Sequence, residues 1–113
     1  MRLADQLAVV RSKNSGPYEL TFDLIFKEAA VYARVKEQRA VDEELVKRLY
    51  HLADADILGI HYFDPAAAIK VTIRRPRAAG DPGETDVYGA QQHAPWLTVE
   101  LPMDLGSGDA SRT

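Results

Sequence analysis

The chain has 113 residues, 46% of them hydrophobic, and 14 Lys and Arg against 17 Asp and Glu give a formal charge of −3. This is room for one compact domain that buries roughly two-thirds of its unfolded surface, and the acid excess argues against a nucleic-acid module held by counterion release. The absence of cysteine excludes a disulfide scaffold, a thiolate metal site and a cysteine nucleophile.

Residues 3–11 carry Leu3, Leu7 and Val10 at helical spacing and Leu7 with Val9 at strand spacing. The Val9-Val10 pair and the turn signal Asn14-Ser15-Gly16-Pro17 favour a strand leading into a hairpin. Over residues 18–26, Tyr18, Leu20, Phe22, Leu24 and Phe26 alternate with Glu19, Thr21, Asp23 and Ile25. That period of two reads as a strand with one face on a core. A helix follows over residues 27–38, with Ala30, Val31 and Val35 turned inward. A second spans residues 42–52, with Asp42 as N-cap, Val41 and Val46 as a hydrophobic staple, and Leu45, Leu49 and Leu52 as its buried stripe. Glu43 and Glu44 suit its positive end, and Lys47, Arg48 and His51 the other.

Residues 57–63 form an apolar run, read as a strand with Leu58, Ile60 and Tyr62 on one face. Asp64-Pro65-Ala66-Ala67-Ala68 has a cap residue, a proline and helix formers, and so predicts one helical turn. Residues 69–75 alternate buried Ile69, Val71 and Ile73 with wet Lys70, Thr72 and Arg74, and Pro76 ends the strand. Residues 77–95 have no periodicity, a length of loop that often carries function. Residues 96–101 alternate again through Leu97, Val99 and Leu101, which predicts a closing edge strand. The expected architecture is α+β, an antiparallel sheet with two helices packed on one face. It forms a single domain over residues 1–103, followed by a flexible tail over residues 104–113. No leader-like apolar segment and no stretch of ~18 apolar residues is present, so a cytoplasmic location without membrane partners is expected.

Few polar residues carry chemistry. His51, His61 and His93 lack ligand spacing, His61 with Asp64 being only a loose pairing, and no metal or other cofactor is expected. Ser12 and Ser15 lack the strand–turn–helix setting of a nucleophile. The stretch Arg11-Ser12-Lys13-Asn14-Ser15-Gly16-Pro17 gathers cations, hydroxyls and turn amides that can cradle a carboxylate or phosphate. It also reads as a solvated hairpin turn. Tyr88, Gln91, Gln92 and His93 crowd donors and acceptors into the long loop, where His93 can act as acid or base near neutral pH. The alternative is a loop whose amides satisfy buried backbone. Arg74-Arg75-Pro76-Arg77 reads as a solvated strand end or a salt-bridging rim rather than a nucleic-acid patch.

Arg11-Ser12-Lys13-Asn14 with Gly16-Pro17, the strand Leu20-Thr21-Phe22-Asp23, Tyr62-Phe63-Asp64-Pro65-Ala66 and Asp86-Val87-Tyr88-Gly89-Ala90-Gln91-Gln92-His93-Ala94-Pro95 together carry a resemblance. Over roughly residues 3–101 the chain resembles a small bacterial family of unknown function, family 4387, associated with AtuA-like (acyclic terpene utilisation) proteins. A weaker likeness reaches the ferredoxin-like C-terminal domain of AtuA-type proteins. Its Arg-Ser-Gly-Asp-Lys-Gly turn matches Arg11, Ser12 and Gly16 but not the residues between. The resemblance implies a ferredoxin-like two-layer sandwich and an accessory subunit that assembles with an AtuA-like large subunit, or with itself. The large subunit would act on carboxylic acids or acyl-CoA esters. Arg11, Ser12 and Asn14 are then expected to bind an acid group, with Asp64, Tyr88, Gln91, Gln92 and His93 completing the site. Two alternatives stand beside this: a lyase, hydratase or isomerase with His93 as general base and Arg11 as carboxylate clamp, and a structural homo-oligomer. The accessory-subunit and enzyme readings both expect the Arg11 turn and the His93 loop to meet in one cleft.

Overall fold

The alternation in β2 (Glu19–Phe26) decides which way the sheet faces. In the computed structural model, which describes residues 1–16, 18–74 and 92–103, Leu20, Phe22, Leu24 and Phe26 are buried together. β2 pairs antiparallel with β1 (Leu7–Gly16) on one side and β4 (Ala68–Arg74) on the other, and β3 (Ile57–Phe63) pairs with β4. The order across the sheet is β1-β2-β4-β3. The β2–β4 register sets Leu20, Phe22 and Leu24 opposite Ile73, Val71 and Ile69. Each of these side chains contributes roughly 1.5–3 kcal/mol by leaving water.

Both helices cover that apolar face. α1 (Ala29–Gln38) buries Val31, Tyr32 and Val35, and Tyr32 meets the Phe26 ring edge-on at 5.8 Å. α2 (Glu43–Tyr50) buries Leu45 and Val46, and Tyr50 stacks on Phe22 at 4.9 Å. The expected Asp42 cap forms, accepting from the Leu45 amide at 3.0 Å. The staple residues Val41 and Val46 are wholly buried. The result is a two-layer α+β sandwich consistent with a ferredoxin-like fold, laid down in the chain order ββααββ. No helix among the described residues is long and apolar enough to cross a membrane.

Four local expectations are corrected. Leu3–Gln6 is a 3-10 turn, and strand structure begins only at Leu7, because the Leu3 amide is drawn to the Val99 carbonyl at 3.0 Å. The polar stretch from Arg11 is not a turn. β1 continues to Gly16, so its amides serve the ladder with β2 rather than a cradle. In β3 a register irregularity between Ile57 and Gly59 turns Leu58 out, and Ile57 takes its place against the core. One extra residue reverses the face of whatever it displaces. Finally, Ala94–Thr98 is a 3-10 turn rather than an edge strand, with a single bridge between Arg2 and Glu100 beyond it. Pro95 within its first turn favours this curl, and Trp96 anchors it on the core, edge-on to Phe22 at 5.8 Å. Residues 75–91 and 104–113, which include most of the expected loop over 77–95 and the expected tail, lie outside the described residues.

Candidate functional site

Both helices lie on one side, and among the described residues no element covers the other face of the sheet. The register assembles it in cross-strand rows. Val9, Ile25, Ala68 and Phe63 form an apolar row. Two residues further along each strand, Arg11, Asp23, Lys70 and His61 form a charged row. The next contains Lys13, Thr21, Thr72 and Gly59, and the last described pair is Glu19 with Arg74. Such rows are ~6.7 Å apart along the strands.

Arg11 Nε donates to Asp23 Oδ2 at 3.1 Å. This is an exposed pair worth at most about 1 kcal/mol, so it tethers Arg11 more than it stabilises the fold. Lys13 and Lys70 make no ion pair among the described residues. His61 leans over Gly59, where a Cβ would stand 3.3 Å from its Nε2. On the central strands Ala68, Thr21 and Thr72 are small, while Ile25, Asp23 and Lys70 project from the same face. The face forms a groove along the strands, with Ile25 and Ala68 in its floor, Arg11 and Lys13 on one bank, and His61 and Phe63 on the other. It encloses about 370 Å³. A second concavity of about 360 Å³ lies at the far end, beside Tyr18, Leu58 and Arg74.

The structure divides the residues singled out from sequence. Arg11 lies on the open face. Ser12 and Asn14, opposite Phe22 and Leu20, face the helical side. They do not join Arg11 in a cradle, because successive strand residues alternate. Gln92 is buried on the helical side, where its carbonyl accepts the Tyr50 O–H at 2.5 Å. His93 precedes the Trp96 turn on that same side, and its carbonyl accepts the Trp96 amide at 3.0 Å. Among the described residues, the sheet thus stands between Arg11 and residues 92–96. Tyr88 and Gln91 lie outside the described residues. Sequence reasoning missed that Lys70, His61 and Phe63 line the same groove as Arg11. The available signal was the polar face of each strand, once the strands are aligned in register.

Asp64 takes a structural position at the end of β3. Its carboxylate accepts from Tyr32 Oη at 2.6 Å and from Lys36 Nζ at 2.8 and 2.9 Å, tying α1 to the β3–β4 connection. The Lys36 ammonium and then the Tyr32 hydroxyl hold the Asp64 carboxyl below its usual 3.8. Burial first, then the bond to Asp64, pushes the Tyr32 phenol up. A carboxyl depressed on folding contributes stability above its unfolded value and loses it as pH falls through the folded one. Asp64→Asn is therefore expected to lower stability at pH 7 and to flatten its decline below about pH 3.8. Urea unfolding from pH 7 to pH 2.5 checks this, and an unchanged acid limb would contradict it.

Comparison with known proteins adds one relation. No curated protein matches the chain, and no solved structure does. A model of the family described as domain of unknown function DUF4387 matches residues 3–100, nearly the whole chain, and the chain belongs to that family.

Proposed function

We propose that this chain is a small accessory subunit or binding module that assembles with a larger protein through its open sheet face. One observation carries the reading. A chain with net charge −3 gathers Arg11, Lys13, Lys70 and Arg74 on one sheet face, against Asp23 and Glu19 among the described strand residues. Exposed Val9, Phe63, Leu58 and Tyr18 border the same face. Apolar side chains interleaved with charge of one sign suit a partner of opposite sign. Self-association face to face is disfavoured, since it would set like charges together.

The family resemblance points to an AtuA-like large subunit acting on carboxylic acids or acyl-CoA esters. The carboxylate-binding role expected of Arg11 is then supported by Lys13 and Lys70 rather than by Ser12 and Asn14. A second reading, a free carboxylate held in the 370 Å³ groove, rests on the same cations. Co-expression with an AtuA-like protein encoded beside a family member, followed by size exclusion, tests the assembly. Co-elution is expected, and Lys13→Glu with Lys70→Glu should abolish it. Separate elution of two folded proteins would overturn the reading.

A further inference from the structure

Resting on that reading of the open face, we infer that its occupant is an acidic amphipathic α-helix of the partner, laid lengthwise along the groove. The first argument is shape. The backbones of β1 and β3 stand three strand spacings apart, roughly 14 Å. Between them Ala68, Thr21 and Thr72 are low, Ile25, Asp23 and Lys70 rise from the floor, and Arg11, Lys13, His61 and Phe63 stand on the two sides. A helix is about 10–12 Å across with its side chains, so it fits between the banks. Packed there it would complete a third layer, in the way helices cover the second face of a sheet in α/β proteins.

The second argument is chemical order along the groove. One end is apolar, at Val9, Ile25, Ala68 and Phe63. The middle is cationic, at Arg11, Lys70 and Lys13. The far end offers Leu58 and Tyr18 beside Arg74. Three row steps separate the two apolar ends, about 20 Å, and a helix covers that distance in about 13 residues. The groove thus specifies a helix of three to four turns, with apolar side chains at its two ends and carboxylates between them on the same stripe. A small carboxylate satisfies the cations but leaves one apolar end uncovered. A second copy of this chain would bring cations against cations.

The test uses the full chain, labelled with nitrogen-15, and a synthetic helical peptide of that pattern. Three comparisons accompany it: the same composition with the carboxylates moved to the opposite helix face, a version with Lys in place of Glu, and octanoate as a small amphiphilic carboxylate. The patterned peptide is expected to shift the amides of Arg11, Lys13, Thr21, Asp23, Lys70 and Thr72. It should bind at least about tenfold more tightly than the rearranged one. Lys13→Glu with Lys70→Glu should weaken it by a similar factor, and added salt should weaken it too. Equal binding by the rearranged peptide, shifts confined to α1 and α2, or the full set of shifts from octanoate alone would each overturn the inference. So would no binding at about millimolar peptide. The assay contains no large subunit. Failure here with co-elution intact removes the helix and keeps the assembly, and the converse removes the assembly alone.

Discussion

Trp96→Ala is expected to cost about 3–5 kcal/mol, a large share of the 5–15 kcal/mol typical of a domain this size. Trp96 is the only tryptophan in the chain and is wholly buried. Its ring meets Phe22 at 5.8 Å and Tyr50 at 6.3 Å, so it locks residues 94–98 onto both β2 and α2. Removing it leaves a cavity under a segment whose other anchors are Val99, Leu101 and Met103. Trp96→Phe should behave differently. Among the described residues the indole Nε1 is buried without an acceptor, as is Gln92 Nε2 nearby in the chain. An unpaired buried donor itself costs about 1–3 kcal/mol. Phenylalanine loses part of the ring but also that burden, so the variant should fall within about 1 kcal/mol of the parent. Urea unfolding followed by circular dichroism measures both changes. A loss below about 1.5 kcal/mol in the alanine variant would mean that the turn is not seated on the core.

That turn also marks where the sequence stopped being legible. The four strands of the sheet and the two helices were readable because their periods are dictated by a single buried face. Leu20 to Phe26 can satisfy that face only as a strand, and Asp42 advertises its helix start by chemistry alone. Residues 96–101 show the same period of two, yet Trp96 outweighs it. A large ring that packs beside the stacked Phe22 and Tyr50 fixes local backbone more strongly than alternating Leu97 and Val99 do. Leu58 failed for a similar reason, since a one-residue irregularity has no signature in hydropathy. The candidate site was harder still. Arg11 stood out as a cation near a turn signal, but Lys70, His61 and Phe63, which share its groove, lie some 50 or more positions away and join it only through strand register. Ser12 and Asn14, adjacent in sequence, are carried to the other side by the pleat.

Tyr62→Phe should cost about 2–4 kcal/mol, more than a single hydroxyl normally contributes. The Tyr62 O–H donates to the Val41 carbonyl at 2.7 Å, and the same oxygen accepts the Val41 amide at 3.2 Å. Val41 is wholly buried at the junction of α1 and α2. One hydroxyl therefore serves both backbone polar groups of a buried residue, and its removal leaves each of them unpaired. Tyr32→Phe provides the comparison. It also removes one tyrosine hydroxyl, but the bond it breaks is to Asp64, an exposed carboxylate that water can reach, and its cost should be nearer 1 kcal/mol. Alkaline pH acts on both rings, since the Tyr32 phenol is raised as well. Burial raises the Tyr62 phenol above its ordinary 10.0. A group raised on folding holds its contribution below the unfolded value and loses it as pH climbs through the folded one. The parent should therefore weaken above about pH 10, and Tyr62→Phe should flatten that limb. A Tyr62→Phe loss no larger than that of Tyr32→Phe would show that Val41 finds other partners, and that the α1–α2 junction does not depend on this ring.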